Sequence, residues 1–226
     1  VFQFVRTHQS KLLWLLVLVV GGFFLNKWYQ QNQLEMRQSH AAVYAELRAA
    51  LDEWRSENEE LKKLPADASA EDKQEAQSEV ESLARKVNGK IEALKNGPFP
   101  YSQVAVGYEA RFYAESEEYE KLHSLLPQID EVRTSGDPHF ADLATLLAAK
   151  ALYNSDAYRA QAWSMLVELA KDGSFVSTAA VISLSRMADS KEKKEEVLQL
   201  VLDLEGKQPE QGALLEPLKV RLESAA

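Results

Sequence analysis

The chain has 226 residues, a net charge of −9 and a pI near 5.1, with 46% hydrophobic and 27% charged residues. No basic stripe is available to neutralise phosphates, which argues against nucleic acid as a partner. Cysteine is absent, which excludes disulfides and thiol catalysis, and the apolar content is too high for a disordered chain.

The first predicted element is apolar. Leu12 to Leu25 is 14 residues without a charge, 11 of them Leu, Val or Phe. Partition of those side chains favours a bilayer by roughly 3–7 kcal/mol. As a helix the run rises only about 21 Å, short of a ~30 Å hydrocarbon core. Lys11 and Lys27 can snorkel past its ends, and Trp14, Trp28 and Tyr29 suit the interface. A buried soluble helix would show a polar face, and a cleaved signal peptide would need a small-residue cleavage site. Neither is present, so the expectation is an uncleaved membrane anchor over residues 1–29, contacting membrane lipid. Gly21 and Gly22 are candidates for helix packing within the bilayer. Arg6 and Lys11 before the run balance Lys27 and Arg37 after it, so the positive-inside count is a tie.

From Gln30 the pattern is helical. Tyr44, Leu47, Leu51, Trp54 and Leu61 form a narrow apolar seam. Pro65 ends it, and Ser69 can cap a second helix with Asp72 three residues on. Ala76, Val80, Leu83, Val87, Ile91 and Leu94 give the matching seam. The two predict an antiparallel hairpin or stalk over residues 30–96, closed by "NGPFP".

Residues 97–226 repeat. "VAVGYEARFYAESEEYEKLHSLLPQI", "ATLLAAKALYNSDAYRAQAWSMLVEL" and "VISLSRMADSKEKKEEVLQLVLDL" each hold an apolar helix with a small central residue, a polar turn and an amphipathic helix. The small residues are Ala110, Ala149 and Ser185, which would let helix axes approach. Second-helix anchors are Leu122, Leu126 and Ile129; Ala162, Leu166 and Leu169; Val197, Val201 and Leu204. A last helix near Ala213 to Ser224 has no mate, as a solenoid cap would not. The fold class is therefore all-α: one transmembrane helix, a long hairpin, and an α-solenoid of about three helix pairs with a capping helix.

The residue after each small one is basic: Arg111, Lys150 and Arg186, with Arg221 in the last helix. With Leu146 and Ile182 among the apolar neighbours, they predict a basic row on an apolar groove floor, suited to peptide carboxylates or carbonyls. The competing reading pairs the row with internal acids such as Glu109 and Asp189, or lays the last helix on the groove. No catalytic, cofactor or metal site is expected: His8, His40, His123 and His139 stand singly, without metal-ligand spacing. The acidic "ESEEYEK" reads as a solvated turn and helix start.

The repeats look like tetratricopeptide units, with Val106, Thr145 and Val181 where an aromatic commonly opens the first helix. The layout as a whole resembles the YfgM-like ancillary SecYEG translocon subunit family. The residues that carry this are "FVRTHQSK" before the apolar run, "GGFFLNKWYQQNQ" at its close, "SHAAVYAEL" after it and "PYSQVAVGYEARFY" opening the first repeat. The hairpin from Glu57 to Asn96 departs from the family in length and charge. The resemblance implies a single-pass protein of the bacterial inner membrane with a periplasmic domain. Its implied partners are the Sec translocon, a membrane-anchored peptidyl-prolyl isomerase chaperone and unfolded client chains, with no small-molecule substrate. The expected function is a non-enzymatic scaffold or chaperone-like binder. The alternative is a structural subunit of an envelope complex assembled through the hairpin.

Overall fold

In the computed structural model the described residues are 9–65 and 67–223, with side chains described for Lys27 and from Leu34 onward. Among them the chain is all-helical, with no strand. Helix α1, Gln9–Lys63, is one unbroken element of 55 residues, about 80 Å long. Ser69 Oγ accepts the Asp72 amide at 3.1 Å and starts α2, Ala70–Lys95. Then follow α3, Tyr101–Glu115, and α4, Tyr119–Ser135. Asp137 accepts the His139 amide at 2.9 Å, and Pro138 opens α5, Pro138–Leu152. Helix α6, Arg159–Lys171, is followed by Gly173 at φ +68, a left-handed turn that glycine adopts without strain. Helix α7, Ser177–Met187, leads to Ser190, which caps α8, Lys191–Lys207, by accepting from Lys193. A 3₁₀ turn, Pro209–Gln211, introduces α9, Gly212–Glu223.

The helices stack in order. Each packs on the next, and α1, α3, α5, α7 and α9 also touch in succession along one side. The small residues expected at the crossings are buried: Ala110 and Ala149 at 0% and Ser185 at 5% exposure. Of the second-helix anchors all are buried except Leu126, which is half-buried while Leu125 takes the inner position.

The hairpin belongs to the stack. Leu47, Leu51 and Trp54 of α1, Val87, Ile91 and Leu94 of α2, and Ala105 and Phe112 of α3 form one core cluster. Trp54 meets Phe112 edge-on at 4.9 Å, a favoured aromatic geometry. Lys86 pairs with Glu53 at 2.8 Å and Lys90 with Glu46 across the hairpin. Of the described residues between 55 and 86 none is buried, so the outer hairpin projects from the stack.

No helix is long and apolar enough, among the described residues, to cross a membrane. The side chains of the expected anchor, Gly21 and Gly22 included, lie outside the described residues.

Candidate protein-docking groove

The side formed by α1, α3, α5 and α7 carries an apolar cleft of ≈ 350 Å³. Val104, Tyr108 and Arg111 of α3 form one wall, and Phe140, Leu143 and Leu147 of α5 the other. Gly107 shapes it. A Cβ at that position would stand 2.6 Å from Phe140 Cε1, so the missing side chain is what lets the Phe140 ring lie against α3. Leu143 is 48% exposed, an unusual state for a leucine at the middle of a helix interface.

Tyr44 closes the α1 end. Its hydroxyl lies 3.1 Å from that of Tyr108, and the rings meet edge-on at 5.6 Å. Burial, then the hydrogen bond to Tyr44, pushes the Tyr108 hydroxyl up to about 12, so it stays neutral throughout the physiological range.

The basic row is there, in three different states. Arg111 donates from Nε to Glu115 Oε1 at 2.8 Å. The same carboxylate takes Arg55 at 2.5 and 2.8 Å, and Arg55 reaches Asp52 at 3.0 Å. Arg111 is thus half committed to bracing α1 against α3. Lys150 and Arg186 are exposed and make no ion pair or hydrogen bond among the described residues. Arg221 turns inward and donates to the Ser185 carbonyl at 2.6 Å, where a cation complements the end of α7. The row available to a partner is Arg111, Lys150 and Arg186.

The acids considered as internal partners for the row are used elsewhere. Lys95 Nζ lies 2.5 Å from Glu109, which is 6% exposed and also accepts the Tyr113 hydroxyl at 3.2 Å. Asp189 pairs with Lys193 at 2.9 Å, and that hydrogen bond lowers its pKa.

Leu146, expected on the groove floor, is 8% exposed and belongs to the core shared by α5, α6 and α7. The physical reason is rotation: the cleft faces Leu143 and Leu147, and Leu146 lies a helical step around, toward α7. Ile182 is half-buried, one turn before Arg186. Sequence reasoning missed Tyr44, Tyr108, Phe140 and Leu147. The available signal was Gly107 inside an otherwise regular helical pattern, which marks a close approach by a bulky neighbour.

A larger opening of ≈ 600 Å³ lies between α4 and α6. His123 spans it, with Nε2 2.9 Å from Gln161 Oε1 and its ring stacked on Tyr158 at 4.6 Å. This histidine is occupied structurally. Among the described residues no three His, Asp or Glu side chains gather to hold a metal ion. No protein-family model matches the chain, and no curated protein or solved structure matches it either.

Proposed function

We propose that the protein is a membrane-anchored scaffold that docks protein partners along the side formed by α3, α5 and α7, at the cleft between α3 and α5. The observation that carries this reading is the apolar cleft lined by Tyr108, Arg111, Phe140, Leu143 and Leu147; further along the same side Lys150 of α5 and Arg186 of α7 are exposed and have no internal partner among the described residues. Leu143 is not isolated but continuous with Val104, Tyr108, Phe140 and Leu147 in one cleft, and contiguous exposed apolar surface of this kind marks a docking site. The packing of each helix on the next, with α1, α3, α5, α7 and α9 also touching in succession, supports a tetratricopeptide-like solenoid.

The uncharged run Leu12–Leu25 supports the anchor, which would hold the groove at high local concentration near a membrane. By resemblance to the YfgM-like family, that membrane is the bacterial inner membrane and the partners are the Sec translocon, a membrane-bound peptidyl-prolyl isomerase and emerging client chains.

The test is site-specific photocrosslinking in intact membranes, comparing Leu143 in the groove with Leu202 on α8, which is 39% exposed. Leu143 should capture a defined partner that Leu202 does not. Equal capture from both sites overturns the groove reading. Removal of residues 1–30 should abolish capture, and full retention would overturn the anchor.

The second reading, assembly through the hairpin, draws on its projecting outer half. Replacing residues 58–80 by a short flexible turn separates the two, because it spares the core residues Val87, Ile91 and Leu94. The groove reading expects capture at Leu143 to survive this replacement.

A further inference from the structure

The groove has two edges with different chemistry, and their spacing restricts what can lie in it. On α3, α5 and α7 the basic residue follows an apolar one by seven positions: Val104 and Arg111, Leu143 and Lys150, Ala179 and Arg186. Seven residues are two helical turns, about 10.5 Å. The apolar edge and the basic edge are therefore one helix diameter apart. Neighbouring packed helices sit about 8–10 Å from one another, so the cations recur along the groove at roughly that interval.

A ligand must present acids on one face at the same interval. An extended strand places same-face side chains about 6.6 or 13 Å apart, and neither matches. A helix places residues i, i+7 and i+14 on nearly one face, about 10.5 Å apart. Length and width both favour a helical occupant over an extended one. Charge complementarity supplies its sign, since among the described residues Lys150 and Arg186 are cations without a partner, on a chain of net charge −9. Arg221, folded back onto Ser185, ends the row.

We infer that the groove receives an amphipathic helix of the partner, with acidic residues repeating every seven positions beside an apolar face. Its carboxylates lie along Arg111, Lys150 and Arg186, and its apolar face fills the cleft between Tyr108, Phe140 and Leu143. This rests on the docking function proposed above and specifies the chemistry of the partner.

The test uses the full chain in detergent and three labelled synthetic peptides of identical composition, read by fluorescence anisotropy. One is helical with glutamates every seven residues, one is helical with the glutamates scattered around the axis, and one is broken by central prolines. The regular helix should bind about tenfold more tightly than either control. K150E with R186E should remove that preference, and the same peptide carrying lysines for glutamates should recover it on the doubly reversed protein. Circular dichroism of the variant checks that the fold persists.

Equal binding by the proline-broken peptide would establish an extended occupant and overturn the inference. So would self-association of the chain without peptide, lost on the double reversal. In that case a second copy of the chain is the occupant. If Leu143 crosslinks a partner in membranes while no peptide binds, the acidic-helix inference falls and the docking function stands. If Leu143 captures nothing, the docking function itself falls.

Discussion

At the scale of single residues, Gly107 is where the groove is made. The Gly107→Ala substitution drives a methyl into the Phe140 ring edge; overpacking costs about 1–3 kcal/mol, less the roughly 1 kcal/mol that alanine gains over glycine inside a helix, which leaves a small net loss. Urea unfolding should show that loss, and the displaced ring should lower capture at Leu143. Tyr108 and Tyr113 make a different prediction. Both are pushed up to about 12, Tyr108 by burial and the Tyr44 hydroxyl, Tyr113 by burial and the Glu109 carboxylate. A raised pKa means that folding favours the neutral phenol. The corresponding stability is complete below an unfolded tyrosine's pKa of about 10 and is lost as pH rises through about 12. Tyrosinate absorbance should therefore show two late-titrating phenols among the eight tyrosines, and the Tyr108 signal should shift down in Tyr44→Phe.

At the scale of helices, the join between hairpin and repeats is the most consequential contact. Trp54 is 2% exposed against a wholly buried Phe112. The Trp54→Ala substitution should cost about 3–5 kcal/mol, measurable by denaturant unfolding. Much of this level was legible in the chain itself. Ser69, Asp137–Pro138 and Ser190 announce helix starts because capping chemistry is local. The small residues Ala110, Ala149 and Ser185 marked the crossings. Which way each helix turns was not legible. Leu146 and Leu147 are adjacent and chemically identical, and only packing against α7 decides that one is core and the other lines the cleft. By contrast, the sharing of Arg111 was local: Glu115 lies four residues on, whereas Lys150 has Tyr153 and Asn154 at the corresponding positions.

At the scale of the whole molecule, charge is unevenly placed. Residues 57–81 carry nine acidic and three basic residues, a net of −6 out of the chain's −9. The pKa of Glu57 is raised by desolvation and by Glu79, Glu60 and Glu53 crowding it. Salt screens such repulsion between exposed charges. Added salt should therefore raise the thermal midpoint slightly while weakening capture in the groove, two opposite responses from one titration. The stack also has an end to protect. Leu215 and Leu222 of α9 are buried against α7 and α8, so deleting residues 212–226 should lower the melting temperature and promote aggregation, as loss of a terminal cap does in repeat folds.

Because α1 runs unbroken from Gln9 to Lys63, the mast that would stand in the bilayer is also a structural beam of the first helix pair. There is no swivel between the two. With residues 1–29 as the proposed anchor, the groove's compass bearing around the membrane normal would be set by the number of residues in that beam. One alanine added after Gln30 would swing the groove about 100° around the mast and lift it only about 1.5 Å, and two would turn it about 200°. Reach would hardly change while heading would change completely, so the identity of the crosslinked neighbour should follow the angle of the insertion rather than its length.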